Sequence, residues 1–487
     1  MKISLIAPPL LDYEGGALVP VSMDALRTCP PYAIYLLAAV LRREGHEVAV
    51  IDLIAQGSKE LSLHWGTILS SDLVGIGTTS LAWPAARQCI FEIRRMSSAI
   101  PIVLGGIHAS MFDTYLLATT EATAVVRGEA EATFPKLCRA WERGEDLRTV
   151  PNLSFRSPAG RVIRTELAPK LTPEELATFP IPDYASIPAG VYAGLGIESS
   201  RGCPHDCAFC STSYRQSWRA IAAEAFVDRV EAIMPHLGRT AAGILHVIDD
   251  EFTAARPRAI RICQELVRRG LRPQMVFDAR AEDLLDVELL EAIQPHARQF
   301  LVGAECGYDE GLHRVGKHTT VEHLEKAAAL LAKYRISSRA DFSFVIGFPW
   351  ETKAEVMRTV RFAAHLYSDY GIRVLLQWYC QIPGSRLWDE QRRNQVVHEA
   401  QYDDYGFFRN HYLFRTGVRL SPSEVHEVHE VVSSLRSVAG MNPNGLPMIQ
   451  SSIPEPIMRN YPALPGLAEG SSLENLRELA RAGSSRC

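Results

Sequence analysis

Three cysteines fall within eight residues of this 487-residue chain, in the run Glu198-Ser-Ser-Arg-Gly-Cys203-Pro-His-Asp-Cys207-Ala-Phe-Cys210. Thiolates are the normal ligands of iron–sulfur clusters, and most clusters take four. A set of three leaves one iron with an open position, much as a catalytic metal site keeps a position for substrate. That position would take the amino and carboxylate groups of a small molecule. Two other readings use the same residues. A zinc ion could take the thiolates with His205 or a distant fourth ligand, or the cysteines could form a redox thiol group. The other seven of the ten cysteines are scattered, as small buried apolar residues are. A disulfide framework is not expected in a chain of this size.

The surrounding elements say where such a site would stand. Residues 194–198 read as a strand, so the cysteines lie on the loop at its carboxyl end, the functional end of β/α architectures. Further strands are expected at 243–248, 274–277, 299–302, 340–346 and 373–378, with helices at 220–236, 257–269, 287–294, 321–334 and 353–368 between them. Six such units fit a partial, open barrel better than a closed eightfold one. An earlier series precedes it: strands at 2–7, 47–51, 72–77, 100–104 and 122–126, alternating with helices at 32–43, 83–97 and 131–143. That pattern implies a doubly wound, flavodoxin-like parallel sheet whose ligands sit outside the carboxyl ends of its strands.

The expected organisation is a doubly wound domain over 1–146, a proline-rich linker over 147–191, the partial barrel over 192–393, and a C-terminal region over 394–487 that could cap a substrate site and end in a loose tail. The 47% apolar fraction and net charge of −5, with signs well mixed, suit a soluble protein and show no basic stripe for nucleic acid. No uncharged apolar stretch is long enough to span a bilayer, and Met1–Pro9 is not a signal peptide, so a cytoplasmic location is expected.

The CxxxCxxC spacing, with Phe209 just before the last cysteine, resembles the signature of the radical S-adenosylmethionine superfamily. The resemblance implies a 4Fe-4S cluster on Cys203, Cys207 and Cys210 that chelates S-adenosylmethionine and cleaves it to methionine and a 5'-deoxyadenosyl radical. Phe209 would touch the cofactor. Asp250, in Asp249-Asp250-Glu251-Phe252-Thr253, stands where the family often carries Gly-Gly-Glu, although the two glycines are absent; these carboxylates could instead cap the next helix. Gly303-Ala-Glu305-Cys-Gly resembles the family's Gly-x-Glu-Ser-Gly, with Glu305 as a cofactor acceptor and Cys306 in place of serine. Gly347, in Gly-Phe-Pro-Trp-Glu351-Thr, permits close backbone approach. Arg339, opening that strand, could pair with the cofactor's carboxylate or be a plain surface arginine.

Residues 1 to about 145 resemble the cobalamin-binding domain found ahead of the barrel in one subgroup. The matching points are Gly105-Gly106-Ile-His108 and Arg127-Gly128-Glu129-Ala-Glu131. The resemblance implies cobalamin held by Pro9, Thr78, Thr79, Ser80, Gly105, Gly106, His108, Gly128 and Glu129. The Asp-x-His-x-x-Gly motif that supplies a lower axial histidine is absent, as is usual in that subgroup, and the domain could also keep its fold without a corrinoid. The implied activity is methylation of an unactivated carbon in a small natural-product or lipid intermediate, with oxidative cyclisation or ring contraction as the alternative and a zinc-binding scaffold as a distant one. Flavodoxin or ferredoxin would supply electrons. Trp378, Tyr379, Trp388, Tyr405, Phe407, Phe408 and Tyr412 could line a substrate pocket or pack a core, and His426 and His429 read as a solvated helix face.

Overall fold

The computed structural model describes residues 1–14, 17–20, 28–394, 397–403, 418–443 and 445–451. Tyr405, Phe407, Phe408, Tyr412 and the tail after residue 451 lie outside the described residues.

The first sheet contains β1 (Lys2–Ala7), β2 (Glu47–Asp52), β3 (Leu73–Gly77), β4 (Ile102–Gly105), β5 (Ala124–Val126), β6 (Leu153–Arg156) and β7 (Val162–Arg164). Its order is β2-β1-β3-β4-β5-β6-β7, parallel through β5 and antiparallel beyond. The first five strands follow the flavodoxin-like 2-1-3-4-5 order, which places a topological switch between β1 and β3. All but the first residue of β1 are buried, as a strand covered on both faces requires. Leu37, Leu41, Phe134 and Leu137 pack one face, and Ile90, Ile93, Phe112 and Leu116 pack the other.

The segment expected as a linker thus carries β6 and β7, which extend the first sheet. Prolines obscured this: strands of four and three residues leave too little alternation to register as a pattern.

The second sheet runs in chain order: β8 (Gly194–Ile197), β9 (Ile244–Val247), β10 (Gln274–Ala279), β11 (Ala297–Glu305), β12 (Ala340–Ile346), β13 (Arg373–Trp378) and β14 (Ile449–Ser451). Every pairing is parallel, and β8 and β14 are its two outer strands, so this is an open partial barrel. The six expected units are present. The seventh strand comes from the C-terminal region and adds to the outer side of β13. Where β11 meets β12 the register slips between Gly303 and Glu305, and Glu305 adopts φ +60°. A bulge of this kind re-aims a side chain at a strand end.

Candidate active site at the facing strand ends

The cysteine loop leaves the carboxyl end of β8 and is gripped from several sides. The Ala208 amide donates to the Val315 carbonyl at 2.8 Å, and the Leu387 amide to the Ala208 carbonyl at 3.0 Å. Arg386 holds Asp206, Nε to Oδ2 at 3.0 Å. All three cysteines are free thiols, with Cys207 buried and Cys203 and Cys210 half-buried. Burial pushes the Cys203 thiol up to about 12 and also raises Cys210, and the neighbouring Cys207 raises both further. Thiols this reluctant to ionise alone become ligands when a cation supplies the offsetting charge. His205, the alternative zinc donor, meets Glu251, Nε2 to Oε2 at 3.2 Å, and the ligand atoms of Cys203, His205 and Glu251 lie within 4.8 Å of one another, a group that could itself hold a metal ion.

The carboxylates after β9 divide their work. Asp249 is buried and accepts from the backbone and hydroxyl groups of Ser199 and Ser200, bracing the base of the loop. Asp250 opens onto the cleft between the two sheets, where desolvation by the surrounding protein raises its carboxyl, against hydrogen bonds from Thr212 and Gly202. Glu251 lies 3.5 Å from Cys203 Sγ. Burial would raise it, yet His205 and Arg280 hold it below its ordinary value. None of the three caps the following helix, Arg256–Arg268, whose Ala255 N-cap makes no side-chain bond.

Glu305 is buried and paired with buried Lys317 at 3.0 Å. The charge of Glu305 overcomes the cost of burial and raises the Lys317 ammonium. Gly347 ends β12 at φ +79°, and a Cβ there would overlap the Trp378 ring. Buried Glu351 fixes this turn, accepting from the amides of Gly347 at 2.7 Å and Phe348 at 2.9 Å, and from the Tyr308 hydroxyl at 2.8 Å. Phe209 packs against Phe348 with ring centroids 5.9 Å apart.

Arg339 is not brought to this end. It precedes β12, and its Nη1 donates to the Gln294 and Ala297 carbonyls at 3.2 and 3.0 Å. A seven-residue strand separates it from Gly347, roughly 20 Å at strand rise. Its order in the chain already put it at the amino end. Lys317, Glu351 and Arg201 were not singled out from sequence; Glu351 stands in a motif quoted for its glycine, and Lys317 had no local signal.

In the first sheet, Thr78 is buried and binds Gly105, Oγ1 to O at 2.8 Å. Thr79 caps the following turn through the Ala82 amide at 3.1 Å. Pro9 is buried just after β1, and a Cβ on Gly105 would meet open space. Gly106 has φ +97°, and a Cβ there would overlap the Thr78 carbonyl. His108 is 1% exposed, held by Ser80 at 3.0 Å and stacked on Trp83 at 5.0 Å. Burial pushes its imidazole down to about 3. Glu129 is also buried, among arginines. Trp378, Tyr379 and Trp388 are core residues. His426 is exposed, and His429 meets Ser433 at 3.2 Å within its own helix.

A cleft of about 810 Å³ joins the two sets of strand ends. Gly106, Ser110 and Gly128 line it from the first sheet, and Cys210, Thr212 and Asp250 from the second.

The same two halves are recognised by comparison with known proteins. Residues 21–138 match the model of the B12 binding domain, and residues 197–363 that of the radical SAM superfamily. The chain therefore carries a radical SAM domain preceded by a B12 binding domain. It is 28% identical to an uncharacterized methyltransferase of Pyrococcus horikoshii, over 83% of this chain and 86% of that one. It is 27% identical to the anaerobic magnesium-protoporphyrin IX monomethyl ester cyclase of Rubrivivax gelatinosus, over 84% and 72%. The hopanoid C-3 methylase of Methylococcus capsulatus is 27% identical, over 64% and 61%. The fold is that of the radical S-adenosylmethionine methyltransferase TsrM from Kitasatospora setae, with a TM-score of 0.66 at 17% identity and full coverage of both chains. It is also that of the cobalamin-dependent radical enzyme OxsB, with a TM-score of 0.60 at 20% identity, over 74% of this chain and 52% of OxsB.

The cofactors of this radical SAM enzyme are a 4Fe-4S cluster, S-adenosylmethionine and cobalamin. The residues present fit them. Three thiols, one buried and two half-buried, form an incomplete donor set of the kind that leaves one iron open, and the backbone of Gly106 and Gly128 borders a large cleft at the first sheet's strand ends. His108 lies in an aromatic core and does not line that cleft. Among the described residues, no helix is long and apolar enough to cross a membrane.

Proposed function

We propose that this chain methylates an unactivated carbon of a small natural-product or lipid intermediate. The observation that carries the reading is the single cleft lined by both sets of strand ends, because it allows one substrate to lie between two cofactors. Cys203, Cys207 and Cys210 would hold the cluster, with Phe209, Asp250, Glu305 and Gly347 around S-adenosylmethionine and Thr78, Gly105, Gly106 and Gly128 toward cobalamin. When bound, these groups supply an electron for reductive cleavage of S-adenosylmethionine, and a methyl group. The protein's part is orientation and exclusion of water. The Asp250 carboxylate faces the cleft as an acceptor for an amino group. Phe209 packs on Phe348, which stacks on Trp350, so apolar rings back the cysteine loop. Leu37, Ile107, Met111, Leu167 and Ile248 give the cleft an apolar wall, which suits an apolar substrate. A flavodoxin or ferredoxin is the proposed electron donor, and the cytoplasm the proposed compartment.

A second reading is favoured by the cyclase of Rubrivivax gelatinosus, which is matched over most of this chain: hydrogen abstraction followed by ring closure without methyl transfer. Anaerobic turnover with methyl-deuterated S-adenosylmethionine separates the two. A hopanoid and a magnesium-porphyrin monomethyl ester, the substrate types of the named relatives, are the first probes. A product carrying a trideuterated methyl group in place of one hydrogen is expected. A product without deuterium would overturn methylation, and one that has also lost two hydrogens and shows a new ring by nuclear magnetic resonance would establish cyclisation instead.

A further inference from the structure

We propose that Glu129 and Glu131 are positioning residues for the cysteine loop, and that Glu129 does not serve as a cobalamin ligand: through Arg201 the two carboxylates set where the cluster stands over the first sheet. The inference rests on Cys203, Cys207 and Cys210 holding that cluster. Arg201 lies two residues before Cys203, in a short antiparallel pair with Arg219–Ala220 that forms the base of the loop. Its guanidinium binds three carboxylates. Nε and Nη2 reach Glu198 at 2.8 and 2.6 Å, Nη1 reaches Glu129 at 3.1 Å, and Nη2 reaches Glu131 at 2.5 Å.

The Glu129 carboxylate is already engaged on both oxygens by protein donors. A carboxylate offers about four acceptor sites. Three donors engage Glu129: Arg201 Nη1, Arg219 Nη1, which spans both oxygens at 3.0 and 3.2 Å, and the Leu171 amide at 2.8 Å. Arg219 also lies 4.8 Å above the Tyr214 ring, and the Cys203 amide donates to the Tyr214 carbonyl at 3.3 Å. The Arg127–Glu131 turn of the first domain therefore holds both strands at the base of the cysteine loop. The side chains of Glu129, Glu131, Glu198, Arg201 and Arg219 are only 8–15% exposed. Loss of one partner leaves its neighbours charged, buried and unpaired, which is costly. The same turn borders the cleft from Arg127 to Glu131, and Arg201 lines it too, so the two cofactor sites share one support.

The test uses full-length protein reconstituted anaerobically with iron and sulfide, as wild type and as Glu129→Gln, Glu131→Gln and Arg201→Lys. Lysine keeps the charge and loses the planar fork, so it reads the same contact should a glutamine variant fail to fold. Hydrogen–deuterium exchange of residues 199–212, the electron paramagnetic resonance of the reduced cluster with S-adenosylmethionine, and hydroxocobalamin titration are measured on each. Loop exchange faster by about tenfold or more and an altered resonance are expected, with the hydroxocobalamin Kd changed by less than tenfold. A Kd raised tenfold or more in any folded variant overturns the proposal, and so do unchanged exchange and resonance. Cys203→Ala is measured alongside: a chain that keeps its full iron and sulfide would remove the underlying ligand assignment, a failure distinct from that of the proposal.

Discussion

At the scale of single residues, the cysteines and one buried carboxyl carry testable consequences. Changing Cys203, Cys207 and Cys210 together to alanine is expected to abolish iron and sulfide uptake and reductive cleavage of S-adenosylmethionine, because no thiolate remains to offset the metal's charge. Iron and sulfide analysis after anaerobic reconstitution checks this. Glu351 is fully buried, and burial pushes its carboxyl from an ordinary 4.5 up to about 7, against hydrogen bonds from Tyr308, Phe348 and Gly347. Across that window the folded chain keeps a proton that the unfolded chain has released. Stability therefore falls as pH rises from 4.5 to about 7, by up to about 3 kcal/mol, and levels off above. Glu351→Gln preserves the acceptor toward the two amides and does not titrate. Its urea midpoint should change less than that of wild type over this pH range; an equal slope in both would show that Glu351 does not cause it.

At the scale of elements, strand direction decides what can meet. Parallel strands carry every carboxyl-end loop to one side of a sheet, which is why Cys210, Asp250 and Gly347 stand at the same end while Arg339, one strand length away, binds carbonyls at the other. That much was legible from order along the chain. The bulge that re-aims Glu305 was not, because it depends on how β11 and β12 pair. Gly106 joins β4 to the helix Ile107–Thr119 with φ +97°. Gly106→Ala combines a backbone conformation costing about 1 kcal/mol with overlap of the Thr78 carbonyl. The variant should bind hydroxocobalamin at least about tenfold more weakly while retaining iron and sulfide. Unchanged affinity would place the corrinoid away from this turn.

At the scale of the whole molecule, distant segments hold the two sheets together. Trp388, Val397 and Tyr402 pack into the core on one face of the first sheet. Asp403 accepts from Trp83 Nε1 and the Tyr115 hydroxyl, both at 2.7 Å, across 320 and 288 residues of sequence. Asp403→Ala leaves both donors without this acceptor and should cost about 2 kcal/mol. Faster hydrogen exchange in the helix Trp83–Met96 would register the loss, and exchange equal to wild type would show that other contacts carry the interface.

Sequence by itself determined the features that depend on neighbours along the chain: the cysteine spacing, the alternation that makes two β/α series, and the glycines at strand ends. These are short-range consequences of ligand geometry, side-chain period and backbone sterics. Tertiary structure alone decided how buried charges pair. Glu129 meets Arg201 and Arg219, Glu305 meets Lys317, and the linker adds two strands to the first sheet. Such pairings join residues far apart in sequence, and an isolated charge in water gives no sign of which partner burial will impose on it.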